Sequence, residues 1–134
     1  MRTLLWLDDQ RDPHREFPPV DMNIVWVKSY EEFCDYLKHN PMPEMVDFDH
    51  DLSPEQYAPQ EHWVGTYRKW RQENPYTSRT GRDCAMFLCY MCCKLKRQLP
   101  QWQIHSHNPI GAYEITEVLM AYAELYYDNH KQDT

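Results

Sequence analysis

No apolar run in this chain of 134 residues approaches the roughly 20 residues of a membrane-spanning helix. It also lacks the surplus of Lys and Arg that long nucleic acid demands. Its 14 basic and 21 acidic side chains give a formal charge of −7, which argues against a broad, sequence-independent grip on DNA or RNA. A small anionic ligand stays allowed, because one bound cation inverts the local field. There is no internal repeat and no low-complexity segment. The five cysteines, an odd number, fit a reduced compartment better than a disulfide framework. Cys89 and Cys92 have CxxC spacing, but no second CxxC completes a zinc site and no HxE precedes them as in a zinc deaminase. Cys84, Cys89, Cys92 and Cys93 therefore read as small buried hydrophobes of one helix. The opening residues run straight into Asp8 and Asp9, so they read as a strand and not as a signal peptide. The expectation is a single cytosolic domain over 1–134 with neither membrane nor long nucleic acid as partner. The oligomeric state is left open.

What is present is a set of four polar clusters, each where a predicted strand gives way to a loop or helix. They are Leu5-Trp6-Leu7-Asp8-Asp9, Phe48-Asp49-His50-Asp51-Leu52, Thr80-Gly81-Arg82-Asp83 and His105-Ser106-His107-Asn108-Pro109-Ile110-Gly111. Strands are predicted over 3–8, 24–27, 45–48 and 102–106. Three prolines between 10 and 22 speak against a long helix there. Ser29 with Glu32 forms a capping box opening a helix that stops before Pro41. Thr80 or Asp83 caps the next helix, and a last one covers about 110–127 before a frayed tail. The order β, loop, β, α, β, long loop, α, β, α with right-handed crossovers gives an open parallel sheet of about four strands flanked by helices. In such a sheet the carboxyl ends of the strands form one edge, where ligands bind.

The long connection 53–79 breaks the rhythm. Tyr57, Trp63, Tyr67, Trp70 and Tyr76 alternate there with arginines, histidine and lysine, and little helical periodicity is visible. Either these aromatics form a lid that stacks a base, with Trp63 and Trp70 as the leading candidates, or they pack onto the domain as a satellite cluster.

The chemistry of the clusters points to a cation and a phosphate. Asp8 and Asp9 repel each other unless a cation or a raised pKa relieves them, and Asp49 and Asp51 would face them across the edge. Asp8, Asp9 and Asp49 are the candidate ligands of Mg²⁺ or Mn²⁺. Alternatively, Asp8 or Asp51 caps a turn. By the repulsion argument, neutralising one carboxylate should not lower stability without metal. Asp47, in mid-strand, needs a partner that the sequence does not name. His50 and His105 are candidate proton-transfer groups, and His107 could join a softer metal site. Arg11 could clamp a phosphate. Asn108 with Pro109 caps the last helix and aims N–H groups at an anion, and Thr80-Gly81 offers a second cradle.

Taken together, and in this order and spacing, these motifs resemble the cyclic-phosphate processing receiver-like domain, a degenerate relative of the response-regulator receiver. The resemblance covers nearly the whole chain apart from 53–79. It implies a flavodoxin-like sheet acting on cyclic phosphates of nucleotides or RNA ends. It places functional positions on Asp8, Asp9, Arg11, Asp49, His50, Asp51, Thr80, Gly81, Asp83, His105, Ser106, Asn108 and Gly111. The expected catalytic set is His105, His50, Asp51 and Asp83. The substrate-binding set is Arg11, Thr80, Gly81, Ser106, Asn108, Gly111, Trp63 and Trp70. Family members often carry a basic residue where Ala112 stands, a loss that an arginine of the insertion would replace. A signalling receiver would have a lysine on a final strand, and nothing after His107 reads as that strand. The expected activity is that of a metal-dependent phosphodiesterase on a small nucleotide-like cyclic phosphate. The alternative is a non-catalytic binder or adaptor using the same pocket.

Overall fold

The apolar run that ends in acid forms β1 (Arg2–Leu7), and β2 (Met22–Val27), β3 (Met45–Phe48) and β4 (Gln101–Ile104) join it in one sheet. The computed structural model describes residues 2–16, 21–57 and 65–130. All pairings are parallel and the strand order is β2-β1-β3-β4. This is the flavodoxin-like order with four strands among the described residues, and it reverses between β1 and β3. The expected α/β fold is therefore present.

The connections hold more helix than the sequence pattern predicts. Pro13 opens a single turn, α1 (Pro13–Glu16), where its missing N–H costs nothing. α2 (Tyr30–His39) starts at Ser29, whose side chain accepts the Glu32 N–H at 3.1 Å. The reciprocal half of that capping box is displaced by one residue, because Glu32 accepts from Lys28 instead. In the long connection, a 3₁₀ turn (Pro54–Gln56) and α3 (Tyr67–Glu73) appear where little helical periodicity was visible. α3 is short, and its partners are aromatic rings, so the apolar spacing that betrays a helix does not develop. α4 (Gly81–Lys94) is capped by Thr80, and α5 (Pro109–His130) extends past the predicted fraying point.

Alternation along the strands sorts the two faces of the sheet. Leu5, Leu7, Val46 and Phe48 enter one core with Phe33 and Leu37 of α2, Leu88 of α4, and Ile115 and Leu119 of α5. α4 packs between α2 and α5. The other face carries Trp6, Asp47 and Gln103, the row that leads to the site. Cys84 and Cys92 are buried as expected, but Cys89 is only half-buried and Cys93 is exposed, because α4 turns that side outward. No helix among the described residues is long and apolar enough to cross a membrane.

Candidate functional site

Asp8, Asp49 and His105 are each the first residue after a strand. The register pairs Trp6 with Asp47 and Phe48 with Ile104, which lines these three residues up across β1, β3 and β4. Neighbouring strands lie about 4.8 Å apart, so β1 and β4 stand two spacings apart on either side of β3. The reach of the side chains closes that gap, and one ligand atom from each residue lies within 4.8 Å of the other two. The aligned ends flank the point where the strand order reverses.

Asp8 is the best-compensated acid. Its Oδ1 accepts the N–H groups of Gln10 at 2.8 Å and Arg11 at 2.9 Å. Its Oδ2 accepts His105 Nε2 at 2.9 Å and Arg11 Nε at 2.9 Å. Burial alone would raise its pKa, but the His105 hydrogen bond, the two N–H groups and the Arg11 charge together hold it below the ordinary value. Asp49 is poorer. The His50 N–H donates at 2.8 Å, and Arg11 reaches it only at 3.6 Å. Burial and then the Asp8 charge push its pKa up to about 6.

His105 bridges two carboxylates. Its Nδ1 lies 2.6 Å from Asp47 Oδ1, and its ring stacks on Trp6 with centroids 3.9 Å apart and planes within 4°. Burial opposes its charge, but hydrogen bonds to Asp47 and Asp8 win and raise its pKa to about 9. It is an imidazolium at neutral pH. Asp47 thus acquires its missing partners: His105, and Gln103 Nε2 at 2.5 Å. They stand 58 and 56 residues away in the chain, a juxtaposition only the sheet creates.

His50 has a different fate from the one its motif predicts. It is 0% exposed, with Nδ1 2.7 Å from Asp51 and Nε2 3.5 Å from Glu114. The second contact is an ion-pair distance without hydrogen-bond alignment. Two glycines seal it in. A Cβ on Gly111 would lie 2.4 Å from the His50 ring, and one on Gly81 would lie 2.8 Å from its Cα. Glu114, three residues beyond Gly111 on the same helix face, was the available sequence signal. Burial opposes the charge of His50, but Asp51 and Glu114 outweigh it and raise the pKa to about 9.

A pH dependence follows from both histidines. Their folded pKa values lie above the unfolded 6.5. The stabilisation is therefore fully present below pH 6.5 and is lost as pH rises through about 9. In that window each contributes a slope of about 1.4 kcal/mol per pH unit. Urea denaturation across pH 6 to 10 should show falling stability, and His50→Gln should remove about half the slope. A flat wild-type profile would contradict the charged assignment.

A cavity of about 330 Å³ opens over Asp8 and Asp49, and His105 stands behind Asp8 without lining it. Asp8, Arg11, Asp49, Asp51, Ser106 and Asn108 of the predicted set line it, joined by Gln10, Tyr57, Tyr67, His107, Pro109 and Ile110. Asn108 caps α5 by accepting the Gly111 N–H at 2.9 Å, and its Nδ2 faces Asp51 at 3.3 Å and the Tyr67 hydroxyl at 3.2 Å. Ser106 accepts the Asn108 N–H at 3.0 Å.

The remaining predicted residues stand apart from the cavity. Asp9 accepts a hydrogen bond from the Tyr57 hydroxyl at 2.8 Å and is not in the cluster of three. Its pKa is raised, by burial and by Asp8 against the opposing Tyr57 bond. Thr80 and Asp83 close a complete capping box, and Asp83 pairs with Arg79 at 3.5 Å. Gly81 gives its N–H to His50 O at 2.8 Å, so the second anion cradle is filled by the protein's own backbone. Trp70 is not among the described residues that line the cavity, and Trp63 lies outside the described residues. Arg71 does not replace the basic residue missing at Ala112. It donates to the carbonyls of Gln56 at 2.7 Å and Asn74 at 2.9 Å and stacks on Tyr76.

Neither curated proteins nor solved structures gave a significant match. The model of the family described as the cyclic-phosphate processing receiver domain matches residues 3–121. That span holds the four strands save Arg2 of β1, and every residue of the aligned cluster, so the chain belongs to the cyclic-phosphate processing receiver domain family.

Proposed function

We propose that the chain is a divalent-cation-dependent phosphodiesterase that opens the cyclic phosphate of a nucleotide, a nucleotide-derived signal or an RNA end. One observation carries the reading. Two buried carboxylates and an imidazole converge within 4.8 Å, and the two carboxylates line one cavity with Arg11 and Asn108, in a chain of a cyclic-phosphate processing family. The two carboxylates suit Mg²⁺ or Mn²⁺. The pKa of Asp49, pushed to about 6 by burial and by Asp8, supports the fit, because the pair is short of the positive charge that a cation brings. A cation held by Asp8 and Asp49 would lend Lewis acidity toward a phosphoryl oxygen.

The chain's own groups account for the rest. Arg11, at the cavity wall, clamps phosphate oxygens, and the amino end of α5 favours the same negative charge. His105 carries a proton on Nε2, and a leaving alkoxide would take it in place of Asp8. His50 has no such path and serves to fix Asp51 and the loop after β3. The test is to incubate purified protein and Mg²⁺ or Mn²⁺ with a panel of 2′,3′-cyclic, 3′,5′-cyclic and larger cyclic nucleotides. Release of a linear phosphate is expected, and no release from any of them sinks the catalytic reading.

One observation favours a second reading, a non-catalytic binder of the same ligand. Both nitrogens of His105 are already engaged by carboxylates. A binder returns intact nucleotide after heat denaturation, whereas an enzyme returns product.

A further inference from the structure

We infer that the insertion selects a mononucleotide-sized ligand with an aromatic base, through Tyr57 and Tyr67, an inference that rests on the cyclic-phosphate reading of the same cavity. The cavity's lining is of two kinds. Asp8, Asp49 and Arg11 bring charge, while Tyr57, Tyr67 and Ile110 add apolar wall. A bare phosphate or a sugar phosphate would leave that wall wet. A planar base covers it, and a stacked base is sequence-tolerant because every base has a π-face.

The two tyrosines are also fixed before any ligand arrives. Tyr57 is tied through its hydroxyl to Asp9 at 2.8 Å, with the Asp51 carbonyl 3.1 Å away. Tyr67 is buried, and its hydroxyl lies 2.9 Å from that of Tyr76 and 3.2 Å from Asn108 Nδ2. Behind them Arg71 stacks 3.8 Å above the Tyr76 ring and holds the Gln56 carbonyl at 2.7 Å. Gln56, fully buried, accepts the Leu52 N–H at 2.7 Å and donates to Ser78 at 2.7 Å, joining both ends of the insertion to the loop after β3. Rings tied through their hydroxyls lose less freedom on binding, which is what a recognition surface needs. The volume of about 330 Å³ is near the lower end of ligand pockets, about 300–1,000 Å³. That fits one nucleoside phosphate and not a cyclic dinucleotide.

The test compares three probes in the presence of Mn²⁺: adenosine 2′,3′-cyclic phosphate, the 2,3-cyclic phosphate of methyl riboside, and adenosine. Wild type should prefer the first over the second by about 5- to 150-fold, the range for one stacked base. Tyr67→Ala and Tyr57→Leu should each erode that preference, lowering affinity for the adenosine compound more than for the methyl riboside compound. Tyr57→Leu keeps the result readable if the buried Tyr67→Ala loses its fold, which a melting curve reports. Equal affinity of wild type for the two cyclic phosphates overturns the inference. So does a loss in Tyr57→Leu that strikes both probes alike, since the ring would then act only through Asp9. Adenosine binding that Tyr57→Leu abolishes, without any gain from the cyclic phosphate, keeps the aromatic wall and sinks the functional reading instead. Failure of all three probes to bind overturns both.

Discussion

Asp49→Asn is expected to make the metal-free protein more stable while removing its metal-dependent activity. Asp49 ionises only at about 6 in the fold, against 3.8 unfolded. For an acid whose folded pKa is raised, the charged form is the penalised one. The penalty is full above about pH 6 and disappears as pH falls toward 3.8. At pH 7 it is up to about 3 kcal/mol, and the asparagine escapes it while still accepting the His50 N–H. A rise of several degrees in melting temperature follows, and it should shrink in acid. Turnover with Mg²⁺ or Mn²⁺ should fall by about 10²-fold or more, since even outer-sphere partners of a metal ligand cost about 10–100-fold. Asp8→Asn separates the two carboxylates. The carboxylate repulsion visible in the sequence predicts no loss of stability there, but the structure reverses that expectation. Asp8 accepts two backbone N–H groups and two cationic side chains, and an amide would turn its NH₂ toward donors. It should lose about 2–4 kcal/mol as well as activity. Urea melts with and without metal, beside initial rates, decide the matter. Equal stability changes in the two variants would mean that the charges are not divided as described.

The strands were legible because buried parallel strands read as apolar runs, and the polar residues that close Leu7, Phe48 and Ile104 stand out against them. Parallel pairing then makes convergence at one edge automatic, so Asp8, Asp49 and His105 could be named together. The partners within the edge were not legible. Asp47 and His105 meet only because β3 and β4 are in register, and no local pattern encodes a register between strands so far apart in the chain. His50 misleads for a related reason. A histidine beside two aspartates has the composition of a catalytic group, and its burial depends on how closely α4 and α5 approach the loop. In the insertion, the aromatic content was plain but its direction was not. α3 directs Tyr67 into the cavity wall and leaves Trp70 beside Arg71, a choice set by helix phase in a segment too short to show periodicity.

That close approach is itself open to test, and Gly81→Ala is expected to be among the most damaging single substitutions in the chain. As sequence, Thr80-Gly81 reads as a phosphate cradle. In the fold, the same backbone N–H binds His50 O at 2.8 Å, and a Cβ at Gly81 would lie 1.9 Å from the carbonyl oxygen of Asp49. All three of its nearest neighbours are backbone atoms, so no rotamer change can make room. α4 or the loop after β3 must move, and either shift carries Asp49 out of line with Asp8 and His105. A loss of about 3 kcal/mol or more is expected, with a weakened response of melting temperature to Mn²⁺ in whatever remains folded. Gly111→Ala meets the side chain of His50 at 2.4 Å rather than backbone, so the ring can give way by loosening its bond to Asp51. About 1–3 kcal/mol is expected there. Gly65→Ala is the control for backbone strain alone. Its φ is +79° and nothing lies within 4 Å of the added Cβ, so about 1 kcal/mol should suffice. Denaturant melts should therefore rank the three in that order. If Gly81→Ala stays within about 1 kcal/mol of wild type, α4 does not hold Asp49 in place, and the alignment of the cluster must come from the sheet alone.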